Sequence, residues 1–368
     1  MYLNKLTLHN FKNYTSEEIN FSNKINCFIG NNGEGKTNLL DAIHYLSFCK
    51  SFFNSIDYLN IRHDEDFFAL HGFFTINGGT QDNISCIQKK NQKKIFKINQ
   101  KEYERLADHI GLYPLVMISP YDRDLINEGS EIRRKLIDSV ISQFNRTYLE
   151  ELIHYNRILF QRNVLLKEFG ERNIFDYSAL EIWDTQLIHF GNLIHEKRNV
   201  FLREFIPLFS YYYKLMSNSK ESIDIVYESQ LNYNSFNKLL TNALEKDKNF
   251  RFSTVGIHKD DLLFNINGYP VKKFGSQGQQ KTFVVAIKLA QFEYTKNKKG
   301  FKPLLLFDDI FDKLDDSRVE KIVKLVSEDN FGQVFITDTQ LKRIENIFSQ
   351  HEIEHKIFFI ENGKVSQK

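Results

Sequence analysis

Apolar and polar residues alternate from Leu3 to Leu8, the two-residue period of a strand with one buried face. INCFIG, residues 25 to 30, is a short apolar strand that ends on a glycine. The stretch KTNLLDAIHYLSF then carries Leu39, Leu40, Ile43 and Leu46 at helical spacing, so a strand, a loop and a helix open the chain. From Phe67 to Lys97 short strands are broken by NGG and Asn-rich turns, the pattern of an antiparallel sheet. YPLVMISPYD, residues 113 to 122, predicts another buried strand, closed by a proline.

The period changes beyond that proline. Ile132, Leu136, Ile137, Val140, Ile141, Phe144, Leu149, Leu152 and Ile153 recur at intervals of three and four between Glu131 and about Glu168, and a second such run goes from Leu180 to Phe209. These predict a helical lobe. SIDIVYESQ and DDLLFNING (260 to 268) look like strands returning to the first part of the fold, with a helix of about a dozen residues between them. The last third is α/β again: a helix from Gln277 to about Tyr294, a strand PLLLFDD, a helix from Ser317 to Val326 and a strand QVFIT. The order predicts one α/β head made from both ends of the chain, residues 1–118 and 251–368, and a mainly helical lid inserted as residues 119–250.

Composition narrows the classes. With 42% apolar residues, 34 Phe and 17 Tyr in 368 residues, there is material for a continuous core, and no repeat or low-complexity tract interrupts it. A formal charge of +2 rules out any argument from a globally basic surface, and KKNQKK (89 to 94) and KNKKG (296 to 300) read as solvated turns. Cys27, Cys49 and Cys86 have no CxxC or His-paired spacing and read as buried thiols of a reducing compartment. No run approaches the roughly 20 apolar residues of a membrane span, and a cytoplasmic location is expected.

The chemistry starts at Gly30-Asn31-Asn32-Gly33-Glu34-Gly35-Lys36-Thr37, a full match to GxxxxGK[ST] in the strand-to-helix context the motif requires. Glycines let backbone N–H groups approach phosphates, the helix start adds its positive dipole, Lys36 reaches the terminal phosphates of ATP, and the Thr37 hydroxyl ligates Mg²⁺. Such a loop needs an acidic partner at a strand end, and LLLFDD supplies Asp308 for the metal and Asp309 as general base toward water. Lys36 and Asp308 lie 272 residues apart, far more than in small kinases and GTPases. Near the end of that interval, Ser276 and Gln279 form a capping box at a helix start. With Gly278 they make a second anion site where ABC-type ATPases carry a signature that acts on the partner subunit's nucleotide. Arg133 and Arg134 open a helix and are candidates for DNA phosphate, a solvated pair being the alternative.

Taken together, LTLHNFKNY, GNNGEGKTNLLDAIHYLS, IRHDEDFFALHG (61 to 72), SPYDRDLINEGSEIRRKLID (119 to 138), GIHKDDLLFNING (256 to 268), GSQGQQKTFVVAIKLAQ and LLLFDDIFDKLDDSR resemble the RecF family of bacterial recombination mediators, related to SMC proteins. The resemblance covers nearly the whole chain, with the blocks in family order. It implies an ABC/SMC-like P-loop ATPase head of mixed sheets and helices, a helical lid and no long coiled coil. It implies ATP and Mg²⁺ at Lys36, Thr37 and Asp308, Asp309 where related ATPases have a catalytic glutamate, the signature acting across a homodimer, and Asp315 in the D-loop. It also implies binding to DNA at gaps or single-strand/double-strand junctions, with RecO and RecR as partners and RecA loading as the outcome. Phe53 stands where the family pattern usually has arginine, and Ile257 and Lys259 where Pro and Arg are usual; QVFITDTQ has no switch histidine. The competing classes are a transporter's nucleotide-binding subunit, and a P-loop nuclease or kinase.

Overall fold

The computed structural model describes residues 1–76, 79–217, 221–310, 316–327, 330–349 and 354–367. In chain order the first elements are β1 (Tyr2–Phe11), β2 (Tyr14–Asn20), β3 (Ile25–Ile29), α1 (Lys36–Phe48), β4 (Phe67–Thr75), β5 (Gln81–Lys89), β6 (Ile95–Ile98), β7 (Lys101–Glu102) and β8 (Leu115–Ile118). The middle contributes α2 (Asp124–Asn127), α3 (Ser130–Ser142), α4 (Arg146–Arg172), α5 (Tyr177–Ser217), β9 (Ile223–Glu228), α6 (Phe236–Phe250), β10 (Asp261–Ile266), β11 (Tyr269–Pro270) and α7 (Val271–Phe274). The chain closes with α8 (Gln277–Lys299), β12 (Leu304–Phe307), α9 (Asp316–Ser327), β13 (Val334–Asp338), α10 (Leu341–Ser349), β14 (His355–Glu361) and β15 (Lys364–Gln367).

Two compact units result. The first holds Met1–Asp122, Leu215–Ser217 and Lys281–Lys368. Its sheets are β2-β1-β4-β5-β6-β7, antiparallel throughout, and β15-β14-β3-β13-β12-β8, parallel except for β15. The two sheets obey different patterns. On β1 Leu3, Leu6 and Leu8 are buried, a register shift between Leu3 and Lys5 interrupting the alternation, whereas every residue of β3, β12 and β13 is buried, as strands covered on both faces must be. Helix α1 touches strands of both sheets, and ten of its 13 residues are buried. Leu39, Leu40, Ile43 and Leu46 join Leu70, Phe74, Leu306 and Phe335 in one core.

The second unit, Arg123–Lys214 with Asn218–Gln280, contains the helices α3 to α6 and a small antiparallel sheet β11-β10-β9. The expected strands SIDIVYESQ and DDLLFNING therefore do not return to the head. They pair with each other, Leu262 opposite Tyr227 and Phe264 opposite Ile225, and residues 251–280 cluster with the middle of the chain. Helix α4 starts at Asn145, whose side chain accepts from the Tyr148 N–H at 2.9 Å, which separates it from α3. Its buried stripe is Tyr148, Glu151, Tyr155, Ile158, Arg162, Leu166 and Phe169; of the residues expected to carry the pattern, Ile153 is exposed.

Arg162 is fully buried and bridges Asp184 at 2.5 Å and Asp247 at 2.7 Å while donating to Ser253 Oγ. Arg198 likewise joins Asp138 on α3, at 2.9 Å, to Asp260 at 2.9 Å and the Ile257 carbonyl. These buried arginines tie segment 247–260 to the long helices.

Candidate nucleotide-binding site

β3 delivers the chain into the loop at Gly30, where a Cβ would lie 2.3 Å from the Ile360 carbonyl oxygen on β14, so only glycine fits. At the other end, Gly35 has φ +116° and its missing Cβ would meet the Asn13 amide at 2.5 Å. Asn13 Nδ2 donates to the Glu34 carbonyl at 2.8 Å, Tyr14 Oη donates to the Gly35 carbonyl at 3.0 Å, and Asn38 Nδ2 donates to Asn13 Oδ1 at 2.8 Å. Beside Asn13, Gly363 N–H donates to the same Glu34 carbonyl, and Asn362 N–H donates to the Glu34 carboxylate. The loop is thus clasped by the β1–β2 turn and the β14–β15 turn. Neither clasp was among the sequence candidates.

Lys36, 6% exposed, donates from Nζ to the carbonyls of Gly30 at 2.6 Å and Asn31 at 2.8 Å. Its ammonium lies across the mouth of the loop. Thr37 Oγ1 donates to Asp308 Oδ1 at 2.8 Å, joining the start of α1 to the end of β12. Asp308 is 2% exposed, and Thr337 Oγ1 on β13 donates to the same carboxylate oxygen at 3.0 Å. Burial pushes the Asp308 carboxyl above the usual aspartate range; the hydroxyls of Thr37 and Thr337 pull the other way. Thr337 also accepts from the Asp309 N–H at 2.8 Å, and Asp309 adopts φ +48°. Sequence reasoning missed Thr337, which aligns both aspartates.

Ser276 and Gln279 form the expected box: Ser276 N–H donates to Gln279 Oε1 at 2.7 Å and Gln279 N–H donates to Ser276 Oγ at 3.2 Å, with Gly278 between them. Gln279 Nε2 is further fixed by Glu221 Oε1 at 2.7 Å. This box belongs to the second unit, not to the head. Asp315 lies outside the described residues.

Arg133 and Arg134 have partners within the second unit. Arg133 makes a two-pronged pair with Asp261, Nε to Oδ1 at 2.7 Å and Nη2 to Oδ2 at 3.0 Å, and its Nη1 donates to the carbonyls of Leu125 and Glu128. Arg134 Nη1 donates to Ser130 Oγ and the Asp260 carbonyl. Arg133 fastens α3 to Asp261 on β10 and Arg134 holds the residue before that strand through Nη1. Phe53 packs edge-on against Tyr121 and under the Lys12 ammonium, Ile257 is buried, and Lys259 lies over the Phe252 ring. The three cysteines are free and buried, and burial pushes the Cys49 thiol up to about 12.

A phosphate loop between β3 and α1, bonded through its threonine to an aspartate on the parallel sheet, defines the chain as an ABC/SMC-like P-loop ATPase head carrying an inserted lobe. The model of the RecF/RecN/SMC N terminal domain matches residues 2–365. A DNA replication and repair protein RecF from Flavobacterium johnsoniae is 51% identical over 97% of this chain and 99% of its own, and one from Bacteroides thetaiotaomicron is 48% identical over 100% and 99%. The solved structure of the recombination mediator protein RecF-ATP in the RecFOR pathway superposes with a TM-score of 0.91 at 31% identity, over 100% of this chain and 97% of that one. The Smc head domain of Pyrococcus furiosus, at 18% identity and a TM-score of 0.59 over 100% of this chain and 96% of that one, shares the fold. The chain belongs to the RecF family. No helix among the described residues is long and apolar enough to cross a membrane.

Proposed function

We propose that this chain is a cytoplasmic, ATP-dependent DNA clamp protein. It binds ATP with Mg²⁺, dimerises around the nucleotide, and holds DNA at gaps or single-strand/double-strand junctions. There it works with RecR and RecO to assist RecA loading, in support of replication and the SOS response. The observation that carries the reading is the Thr37–Asp308 hydrogen bond, which brings a hydroxyl and a carboxylate together across 271 residues of sequence. Two hard oxygen donors suit Mg²⁺, which takes its remaining ligands from phosphates and water. When bound, the ion would neutralise phosphate charge. The solved relatives described as RecF-ATP and RecF-ATPrS support ATP as the nucleotide.

The residues divide the work. Backbone N–H groups from Gly30 to Thr37 cradle the phosphates, and Lys36 Nζ exchanges two carbonyls for phosphate oxygens. Asp309 accepts the proton of the attacking water. Ser276, Gly278 and Gln279 present the start of α8 to the nucleotide of a second copy. An aspartate reaches less far than a glutamate, so hydrolysis is slow, suited to a switch, and falls below the enzyme median of about 10 per second.

The test is the ATP hydrolysis rate as a function of protein concentration, with and without a gapped duplex, and with Lys36→Ala as the blank. Specific activity should rise with concentration and increase with DNA. A rate strictly proportional to protein and indifferent to DNA would overturn the shared-site reading and favour a self-contained P-loop enzyme.

A further inference from the structure

The phosphate loop carries a carboxylate of its own. Glu34 stands two residues before Lys36, in a loop that receives a polyanion, and α1 begins just beyond it with Gly35 as its N-cap. A helix start attracts nearby anions, so an unrestrained Glu34 side chain competes with phosphate for the same N–H groups. The β14–β15 hairpin restrains it. Asn362 and Gly363, with φ of 50° and 69°, form the two-residue turn of that hairpin, Glu361 opposite Lys364. The two central N–H groups of such a turn have no place in the strand ladder, and here both go to Glu34: Asn362 to its carboxylate and Gly363 to its carbonyl at 3.2 Å. The hairpin itself has little freedom. β14 pairs with β3 up to Phe359 opposite Ile29, Val365 N–H donates to Glu17 Oε2 on β2 at 3.1 Å, and a Cβ on Gly363 would lie 2.6 Å from the Asn13 carbonyl oxygen. Holding the Glu34 carbonyl also aims the next donor. The Glu34–Gly35 peptide is trans, so with its oxygen held by Gly363 and by Asn13 Nδ2 at 2.8 Å, the Gly35 N–H points to the opposite side.

We propose that the Asn362–Gly363 turn is a positioning element for nucleotide binding: it holds the Glu34 carboxylate off the start of α1 and keeps the Gly35 N–H facing the phosphates. The inference rests on the functional reading above, in which the loop receives ATP. A carboxylate in this loop is a built-in competitor of the ligand, and the turn occupies it with a backbone donor on the far side of the peptide. The turn acts through Glu34 and on phosphates that are bound alike before and during hydrolysis. Its effect therefore falls on nucleotide affinity and KM, and kcat is left nearly as it was.

Binding of a fluorescent ATP analogue with Mg²⁺ to the full chain tests this, beside steady-state hydrolysis and a thermal melt. Gly363→Ala, whose methyl drives the turn away from Asn13 and Glu34, should raise the nucleotide dissociation constant and KM about tenfold, the scale of one lost charge-assisted hydrogen bond. Over the same change kcat should stay within about twofold. Gly363→Ala/Glu34→Gln should recover most of the lost affinity, because a neutral amide does not compete with phosphate for the helix start. Inserting one glycine after Gly363 lengthens the turn without a clash and should weaken binding in the same way, so the test stands even where Gly363→Ala does not melt cooperatively. Wild-type protein that binds no nucleotide would overturn this inference together with the functional reading. Wild-type affinity matched by Gly363→Ala and by the insertion would overturn the positioning role alone. Affinity lost in Gly363→Ala and not recovered by Glu34→Gln would overturn the part given to the Glu34 carboxylate.

Discussion

Asp308 shows how one residue can weaken the fold while serving the site. It is buried, and both Thr37 and Thr337 donate to its Oδ1. Burial raises its folded pKa above the unfolded value, so the stability it contributes is full below the ordinary aspartate range and lost as pH rises through the raised value. Ionising the carboxylate works against that burial penalty, which a bound cation would relieve. Asp308→Asn keeps an Oδ1 that accepts from both hydroxyls and removes the charge. The nucleotide-free variant should melt at the same temperature as wild type or a few degrees higher, on the order of 2–4 °C per kcal/mol, while Mg²⁺-dependent ATP turnover is lost. Calorimetry beside an ATPase assay checks it; a clearly lower melting temperature would mean that the carboxylate holds the fold together.

At the scale of elements, legibility follows how far a pattern depends on distant partners. The loop and α1 were readable because GNNGEGKT and the 39/40/43/46 spacing are local, and Asp308 because LLLFDD ends a wholly buried strand. β14 was not identified, although its Ile360 carbonyl forces glycine at position 30, because HKIFFIE carries no motif of its own and its neighbour β3 lies more than 300 residues earlier. The small β9–β10–β11 sheet was placed in the wrong unit because strand pattern does not name a partner. On α4 the buried stripe runs through Glu151 and Arg162, which hydropathy assigns to the surface. Arg162 holds α4 to Asp184 on α5 and to Asp247 on α6. Arg162→Met should therefore cost about 3–5 kcal/mol in urea unfolding by leaving buried carboxylates without their cation. Adding Asp184→Asn and Asp247→Asn should recover most of that loss. A single substitution costing under about 1 kcal/mol would show that the three elements are held by apolar packing alone.

For the whole molecule, the strand order β15-β14-β3-β13-β12-β8 interleaves strands from both ends of the chain, so the nucleotide loop and its aspartate meet only after the last third is in place. Charge is equally non-local in its consequence. With 49 basic and 47 acidic residues the chain has no global field to draw DNA, and Arg133 and Arg134 are occupied internally. DNA affinity must then come from local basic surface, and on the proposed function that surface is completed when two copies close on ATP. Each neutralised phosphate adds about −0.9 to the slope of log affinity against log salt on duplex DNA. With a non-hydrolysable ATP analogue the slope should therefore be steep, about −4 or beyond, and without nucleotide distinctly shallower. Because phosphate contacts carry no sequence information, exchanging base composition at fixed length should change affinity little. The measurement is a titration of labelled gapped duplex at several salt concentrations, with and without nucleotide. An identical slope in both would place every phosphate contact on the single chain, and the clamp would have no part in how tightly DNA is held.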